Sequence, residues 1–434
     1  MRGLSLLRSG VFFSALLTVA LVGLPSAARG QAGLGGEYGL WVTDSGGDEV
    51  GVGWLLSGSG RGFLEVFADG RSFHRAETPS GQSHFATFPR PSADTVLLRY
   101  GALGAEDLHA TVLYLREDVP LESGVISGVD SLYVVGDVHG EYDRLVGLLG
   151  NAGLLDSEGE WVGGRRHVVF LGDLFDRGAD VTRTMWFLYE LERQARAAGG
   201  GAHLVLGNHE TMIFTGDLRY VSQKEQLIAN LHGTTYSGLF DIRRSVLGQW
   251  LAGRPGLMKV DGVLLAHGGV APAGGGAPGW SPRSVETVND SMRTFMSEDL
   301  FYNWADTTMG IFTDSATAER LADRYTSTVV IDGEDAYARR TGIFFDPGGI
   351  LWFRGYVASN ALRSELNRVL DEFGADIHVV AHTPVRTIQA RYGGRLLAVD
   401  LERPATGMLL LVRDPAGGAH RRWRVGLSGP PEPF

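Results

Sequence analysis

The fold is decided by the stretch Tyr133-Val-Val-Gly-Asp-Val-His-Gly140, in which a short apolar run leads into two polar side chains, Asp137 and His139. Four further segments follow apolar runs in the same way and also hold Asp, Asn or His: Gly172-Asp-Leu-Phe-Asp-Arg-Gly178, Gly207-Asn-His-Glu210, His267-Gly-Gly269 and Ala381-His-Thr383. The apolar runs are rich in Val, Leu and Ile and predict buried strands.

The polar residues that follow these strands are typical metal ligands. Open α/β sheets collect their sites at the carboxyl ends of the strands, so we expect these side chains to converge. Asp137 and His139 are two positions apart and would share one face if the strand geometry continued. Asp173 can bridge, because a carboxylate can link two metal ions about 3.5 to 4 Å apart. The remaining candidate ligands are Asn208, His267 and His382. This mixture of oxygen and nitrogen suits Mn²⁺, Fe, Zn²⁺ or Mg²⁺.

Composition excludes several classes of function. The chain has 434 residues, of which 44% are hydrophobic, enough for a full core and two or three domains. Its net charge is -11 and it has no run of Lys or Arg, so nucleic acid is not an expected partner. There is no cysteine, which excludes disulfides, thiolate metal sites and a cysteine nucleophile.

Residues 1–30 are typical of a signal peptide. Arg2 and Arg8 precede the apolar run Val11–Leu24, and small residues follow it. The run is shorter than the roughly 20 residues that a membrane anchor needs, so cleavage is the favoured interpretation. We therefore expect an exported protein, periplasmic or secreted, without membrane contact after cleavage. Loss of Arg2, Arg8 and Arg29 would change the net charge from -11 to -14 (-11 minus 3).

The mature chain divides into two predicted parts. Residues 34–119 alternate short apolar runs with Gly, Ser, Pro and Asp turns, which predicts a small all-β domain similar to a sandwich. Residues 125–434 alternate strands and helices and predict an α/β domain. Within it, about 271–349 carries no ligand motif and is predicted to be a cap-like insertion. The predicted helices are Glu141–Leu155, Val181–Ala198, Gln223–Leu251, Ser291–Asn303 and Ala316–Tyr325.

The five segments, taken in order, resemble those of the calcineurin-like metallophosphoesterases. The Asp176-Arg177 element is similar to the phosphoprotein-phosphatase type within that family. Gly216-Asp-Leu-Arg-Tyr-Val221 and Leu351-Trp-Phe-Arg-Gly-Tyr356 resemble segments of bacterial Shewanella-like phosphatases. The resemblance implies an α/β/β/α sandwich, and the position of the all-β part is similar to the fibronectin-like leading domain of some secreted phosphatases.

The resemblance also implies roles for individual residues. One metal ion would be held by Asp137, His139 and Asp173, and the other by Asp173, Asn208, His267 and His382. A hydroxide between the ions, with Mn²⁺ the expected metal in vitro, would attack phosphorus in line. His209, oriented by Asp176, would act as general acid for the leaving group. Arg177 and Arg354 would bind the phosphoryl oxygens, because a guanidinium can hold two of them. Arg219 is a weaker third candidate, since ion pairing explains it nearly as well.

Departures from the family leave the substrate open. Thr211 replaces a cysteine that commonly follows Gly-Asn-His-Glu, and Asp176 stands where purple acid phosphatases have a metal-binding tyrosine. The implied function is a phosphomonoesterase acting on phosphoserine, phosphothreonine or phosphotyrosine in proteins, or on a small phosphomonoester. One alternative is a nucleotide or dinucleoside-polyphosphate hydrolase. Another is a binding protein whose β domain carries the function. Three aromatic residues could line a cleft, although core packing is their commoner use: Tyr302, Trp304 and Trp352.

Overall fold

The computed structural model describes residues 39–115, 121–272, 284–298, 301, 342–414 and 420–434. The predicted signal peptide lies outside these residues, as do the predicted helix Ala316–Tyr325 and most of the cap-like insertion. The boundaries of the insertion, the cleavage and the export therefore stay predictions. None of the helices in the described ranges is long and apolar enough to cross a bilayer.

Seventeen strands and nine helices of the described residues are numbered here in chain order. The strands are β1 (Trp41–Thr43), β2 (Glu49–Ala68), β3 (Arg71–Pro89), β4 (Thr95–Ala102), β5 (His109–Tyr114), β6 (Val125–Ile126), β7 (Ser131–Val135), β8 (His167–Phe170), β9 (Gly201–Leu204), β10 (Leu257–Val260), β11 (Val263–Ala266), β12 (Ile377–Val380), β13 (Gln389–Arg391), β14 (Leu396–Ala398), β15 (Gly407–Val412), β16 (Arg421–Gly426) and β17 (Glu432–Pro433). The helices are α1 (Tyr142–Asn151), α2 (Val181–Ala197), α3 (Asn208–Phe214), α4 (Gln223–Leu231), α5 (Tyr236–Leu239), α6 (Val246–Ala252), α7 (Val285–Met296), α8 (Gly355–Ala358) and α9 (Arg363–Phe373).

Two six-stranded mixed sheets form the centre of the molecule. One has the order β17-β16-β15-β7-β8-β9, and the other has the order β13-β14-β12-β11-β10-β6. Strands β7, β8 and β9 are parallel, and so are β11, β12 and β14. The carboxyl ends of the parallel strands therefore lie at one edge of each sheet.

The two sheets pack face to face across an apolar layer. Alternate residues of each strand point into it, such as Leu132 and Val134 of β7 and Val263 and Leu265 of β11. The opposite faces of the sheets pack against helices, with Val168 of β8 in the same core cluster as the helical residues. This arrangement confirms the predicted α/β/β/α sandwich.

The all-β character of the leading part is confirmed, but its described residues form one five-stranded antiparallel sheet, whereas a sandwich would have two sheets. Two of the short strands expected from the sequence belong to one strand, β2, which pairs with β3 over most of its length. Register shifts between Leu55 and Gly60 mark irregular pairing in this hairpin, where small polar residues interrupt the apolar pattern. Those interruptions explain why the sequence suggested separate strands.

Hydrogen bonds fix the leading sheet to the helices of the α/β part. Trp186 Nε1 donates to the Leu40 carbonyl oxygen (2.9 Å), and the Tyr114 amide donates to the Tyr189 hydroxyl (2.7 Å). The Asp44 amide donates to the Arg244 carbonyl oxygen (2.6 Å). The leading sheet therefore packs on α2 and on the loop before α6.

Within the described residues of the α/β part, the predicted helices and strands differ from the structure at several places: α1 ends at Asn151 rather than Leu155, and α9 was not predicted. The stretch Gln223–Leu251 was predicted as one helical region and is divided into α4, α5 and α6. Ser222, Thr235 and Ser245 each cap a new helix by accepting a backbone N–H bond, so the chain restarts a helix at each of them. Helix α7 begins at Val285, earlier than predicted, and β9 ends at Leu204, before the apolar residues that follow it.

Candidate metal centre

All six predicted metal ligands lie just beyond the carboxyl ends of strands from both central sheets, in loops except for Asn208, which begins α3. Asp137 follows β7, Asp173 follows β8 and Asn208 follows β9. His267 and His382 follow β11 and β12 of the other sheet. Each of the six residues is at most 5% exposed: Asp137, His139, Asp173, Asn208, His267 and His382. The two sheets thus contribute ligands to one buried cluster.

Four atoms that could bind a metal ion lie close together, and one of them is Nε2 of His267. Its Nε2 atom lies 3.0 Å from Asn208 Oδ1, 3.2 Å from Asp173 Oδ1 and 3.2 Å from His382 Nδ1. Ligands about 2.1 Å from one ion in a tetrahedral arrangement lie roughly 3.4 Å from each other. The spacing of these four atoms fits the set predicted for the second metal ion.

The set predicted for the first ion is also brought together. His139 Nε2 lies 3.7 Å from Asp137 Oδ2, and donor atoms of His139, Asp173 and His209 lie within 4.8 Å of one another. The expected strand alternation is not the reason, because β7 ends at Val135 and His139 has a left-handed backbone (φ 48°). A turn, rather than a continued strand, directs Asp137 and His139 to the same place.

Unpaired ring nitrogens test whether this cluster fits metal ions. His139 donates through Nδ1 to the Phe175 carbonyl oxygen (2.7 Å), which leaves Nε2 as the free lone pair. Among the described residues, the Nε2 atom of His139 is buried and has no hydrogen-bond partner. Buried polar atoms are otherwise almost always paired. The donor set, the spacing and this nitrogen therefore fit cations.

The charges of the cluster shift its pKa values strongly. Burial acts to lower the pKa of His267, but Asp173 and Asp137 outweigh it and raise the pKa to about 10. Burial and the neighbouring charge of His267 lower the pKa of His382 to about 2. Burial and then the charge of Asp173 raise the pKa of Asp137 well above its usual value. Several buried carboxylates lie close together here, and bound metal ions would compensate for their negative charge.

The backbone is strained at the same place. Nine non-glycine residues have a positive φ in the described chain, and five of them are site candidates: His139, Asp173, Asp176, Arg177 and His382. Such strain clusters at functional sites, where the surrounding fold maintains it.

The glycines of the motif are required by close packing. Gly172 has φ 81°, and a Cβ there would lie 2.3 Å from the Gly207 nitrogen. A Cβ at Gly178 would lie 2.1 Å from the His139 carbonyl oxygen. The ligand-bearing loops can therefore approach one another only because these positions have no side chain.

His209 and Asp176 form the predicted acid pair. His209 Nδ1 lies 2.5 Å from Asp176 Oδ2, and its Nε2 lies 3.7 Å from Asp173 Oδ2. Burial acts to lower the pKa of His209, but the charges of Asp173 and Asp176 outweigh it and raise the pKa. His209 thus presents Nε2 to the cluster while Asp176 fixes the orientation of the ring.

The predicted phosphate-binding arginines lie at the rim and are exposed. Arg354 Nη1 donates to the His382 carbonyl oxygen (2.6 Å), and the Arg177 amide donates to the Tyr220 carbonyl oxygen (2.9 Å). Both guanidinium groups act electrostatically on the buried Asp400. Arg219 instead makes a bidentate ion pair with Asp217 (2.8 and 2.7 Å). Ion pairing, the alternative explanation of Arg219, is what the structure shows.

Two acidic residues of the site were missed in the sequence. The buried Glu210 carboxylate accepts hydrogen bonds from the amides of Gly207 (2.6 Å), Asp173 (2.9 Å) and Leu174 (2.8 Å). Glu210 therefore connects the segment after β8 with the segment after β9, and both segments hold candidate ligands. Asp400 is 2% exposed, and its Oδ2 has no hydrogen-bond partner in the described chain. Its place just after β14 repeats the strand-then-acid pattern and could have revealed it.

Comparison with known proteins identifies the family. The calcineurin-like phosphoesterase model matches residues 131–386. This chain belongs to the calcineurin-like phosphoesterase family. The match begins at the first residue of β7 and extends beyond His382, so it contains all six candidate ligands. The family normally binds two metal ions, as the geometry of the cluster also indicates.

Individual proteins of known name are similar to parts of this chain. Shewanella-like protein phosphatase 2 of Arabidopsis thaliana is 41% identical over 95 residues, 22% of this chain and 24% of the relative. A symmetrical bis(5'-nucleosyl)-tetraphosphatase of Vibrio cholerae is 31% identical over 142 residues, 32% of this chain and 45% of the relative. The alignments thus span less than half the length of either relative.

A solved structure covers more of the molecule. The structure of a cold-active protein-tyrosine phosphatase of a psychrophilic Shewanella species has a TM-score of 0.60 and 26% identity, covering 91% of this chain and 98% of that chain. The similarity extends over the leading sheet as well as the sandwich. Within the calcineurin-like phosphoesterase family, this chain is therefore similar to the Shewanella-like phosphatases.

Proposed function

We propose that the protein is an exported, two-metal phosphomonoesterase that acts on phosphorylated proteins. The observation that carries the proposal is the convergence of Asp173, Asn208 and His382 on His267 Nε2 at 3.0 to 3.2 Å. The adjacent pair of His209 and Asp176 adds the proton donor that an ester leaving group needs.

Each residue of the site has its own role in the proposed reaction. Bound metal ions would supply an activated water nucleophile and neutralise charge on the phosphoryl group. His209 holds a proton at Nε2 and delivers it to the leaving oxygen, while Asp176 keeps Nδ1 protonated and the ring in place. Arg177 and Arg354 orient the phosphoryl oxygens and balance the charge that grows in the transition state.

The test uses the mature protein stripped of metal and restored with Mn²⁺. We expect hydrolysis of para-nitrophenyl phosphate only after restoration. In the variant His209→Ala, two bound metal ions should remain while turnover falls about 10² to 10⁴-fold. The matched control is His420→Ala, a histidine far from the cluster, which should keep wild-type turnover. Wild-type turnover in His209→Ala would overturn the assigned acid.

A substrate panel separates this proposal from its nearest alternative. The Vibrio relative, which is 31% identical over 142 residues, is a symmetrical bis(5'-nucleosyl)-tetraphosphatase. Phosphopeptides carrying phosphoserine, phosphothreonine or phosphotyrosine should be compared with nucleoside and dinucleoside polyphosphates. A kcat/KM that is higher for the nucleotides than for every phosphopeptide would replace the phosphoprotein proposal with the nucleotide one.

Export has its own test. It is supported by Arg2 and Arg8 before the apolar run Val11–Leu24. The full chain should be expressed in a bacterial host, and the amino terminus of the protein recovered outside the cytoplasm should be sequenced. We expect cleavage near residues 28–30. Intact protein found solely in the cytoplasm would contradict export without affecting the proposed activity.

A further inference from the structure

An exposed aromatic ring lies against the proposed general acid. The ring centroids of Tyr220 and His209 are 5.7 Å apart, with the planes inclined at 56°. Tyr220 is 49% exposed, whereas His209 is 5% exposed. The tyrosine therefore lies at the mouth of the site, with the acid directly behind it.

Contacts on both sides hold Tyr220 in this position. Its carbonyl oxygen accepts from the amide of Arg177 (2.9 Å), so the residue is tied to the predicted phosphate-binding loop. The guanidinium of Arg219 lies 5.5 Å from the centre of the Tyr220 ring, and the bidentate pair with buried Asp217 fixes that guanidinium. This explains the ion pair of Arg219: it supports the ring rather than the phosphate.

The orientation of His209 shows what the ring would contact. Its Nδ1 is engaged by Asp176, so a proton can leave only through Nε2, which faces the metal cluster. The leaving oxygen must come within about 2.6 to 3.2 Å of that nitrogen. A group bonded to this oxygen would have to leave the buried site toward solvent, and the half-exposed Tyr220 ring lies beside His209 there. Trp352 packs against a different histidine of the cluster, His382 (5.7 Å between ring centroids).

We propose that Tyr220 is a specificity-determining residue that packs against the leaving group and favours phosphate esters of aromatic alcohols, such as phosphotyrosine. This inference rests on the proposed phosphomonoesterase function. A phenyl ring can make an offset or edge contact with Tyr220, and such aromatic pairs gain stability beyond their buried area. The single side-chain carbon of phosphoserine is too small to do so.

The experiment compares one peptide sequence phosphorylated on tyrosine or on threonine, with the Mn²⁺-loaded mature protein. We expect Tyr220→Leu to lower kcat/KM for the phosphotyrosine peptide roughly tenfold and to change the phosphothreonine value less than about twofold. Tyr220→Phe should keep the wild-type ratio, because it keeps the ring. Phe73→Leu, which alters an exposed aromatic residue of the leading sheet, should change neither value.

The possible outcomes are distinguishable. A wild-type protein that hydrolyses no phosphomonoester would overturn the proposed function and this inference together. An active wild type whose ratio is unchanged in Tyr220→Leu, or whose two substrates lose activity equally, would overturn the inference alone. Metal content and circular dichroism of each variant check folding. If Tyr220→Leu does not fold, Tyr220→Thr makes the same comparison, and an unchanged ratio there counts equally against the inference.

Discussion

Two clusters of acidic and basic side chains involve strands β8 and β9. One is the metal centre, beyond the carboxyl ends of these strands. The other, which we call the Glu122 cluster, includes one histidine of each strand and consists of Glu122, His167, Glu192, His203 and Arg254. The two clusters use the same residue types, and they differ in how their polar atoms are paired.

In the Glu122 cluster each acid faces a cation. Glu122 pairs with His203 and with Arg254 (3.1 Å), and Glu192 accepts from the same Arg254 nitrogen (2.8 Å). His203 in turn contacts His167 Nδ1 through Nε2 (2.9 Å). At the metal centre, by contrast, buried ring nitrogens are left without partners in the described chain. Paired charges indicate structure, whereas converging unpaired donors indicate a ligand.

The largest expected effect comes from removing the shared ligand of the metal centre. In Asp173→Asn, metal content should fall from about two ions per chain toward none, and phosphatase activity should be lost with it, because this one carboxylate would serve both ions. Elemental analysis after dialysis measures this. Asp371→Asn, on the exposed face of α9, is the control and should keep both ions. Retention of two ions in Asp173→Asn would contradict the bridging role.

The second largest effect is expected in the Glu122 cluster, where a substitution should change stability but not activity. Arg254→Leu leaves two buried carboxylates without their shared cation and should lower the free energy of unfolding by about 3 to 5 kcal/mol. Metal content and turnover below the melting temperature should be unchanged. Arg61→Leu breaks an exposed pair with Glu77 and should cost less than about 1 kcal/mol. Urea unfolding distinguishes the two variants, and equal costs would show that the Glu122 cluster is not a structural network.

A smaller effect is expected from the acid that supports the metal ligands. Glu210→Gln replaces the carboxylate that accepts three backbone N–H bonds with a group that has one acceptor oxygen. Metal affinity should fall about 10 to 100-fold, as for other residues that orient metal ligands. Glu190→Gln, which alters a partly exposed pair on α2, should leave affinity unchanged. Calorimetric titration with Mn²⁺ gives both values, and equal affinities would contradict the role of Glu210.

The smallest effect is a pH dependence in the Glu122 cluster. Burial and the nearby His203 lower the pKa of His167 to about 4. The unfolded chain therefore binds a proton that the folded chain does not, and stability is lost as pH falls from about 6.5 to 4. In His167→Gln this loss should shrink by about 1 kcal/mol, since partial exposure screens the charge. Thermal unfolding at pH 7 and pH 5 measures it. A loss that is the same in both proteins would exclude His167 as its cause.

The sequence allowed the candidate ligands to be grouped because most of them closely follow an apolar run. His267 and Asp173 could be placed from strand ends alone, and the two-sheet sandwich followed from the family resemblance. The turn at His139 could not be predicted from alternation, because its left-handed backbone depends on packing against Gly178. Asp400 follows strand β14 and could have been noticed, but its place beside the candidate ligands depends on tertiary packing. It approaches the site through the contact of its Cα with Gly136, which is distant in the sequence.

The apolar layer between the two sheets has a consequence for the metal centre. Asp173 follows a strand of one sheet and His267 a strand of the other, so the thickness of that layer determines how far apart the two ligands stand. A larger side chain at Val134 or Leu265 would spread the sheets and lengthen the gap between coordinating atoms without touching any of them. The size of buried side chains between the sheets would then affect metal affinity, although these side chains touch no metal ligand. Random mutagenesis followed by selection for altered metal preference should therefore recover substitutions in this layer.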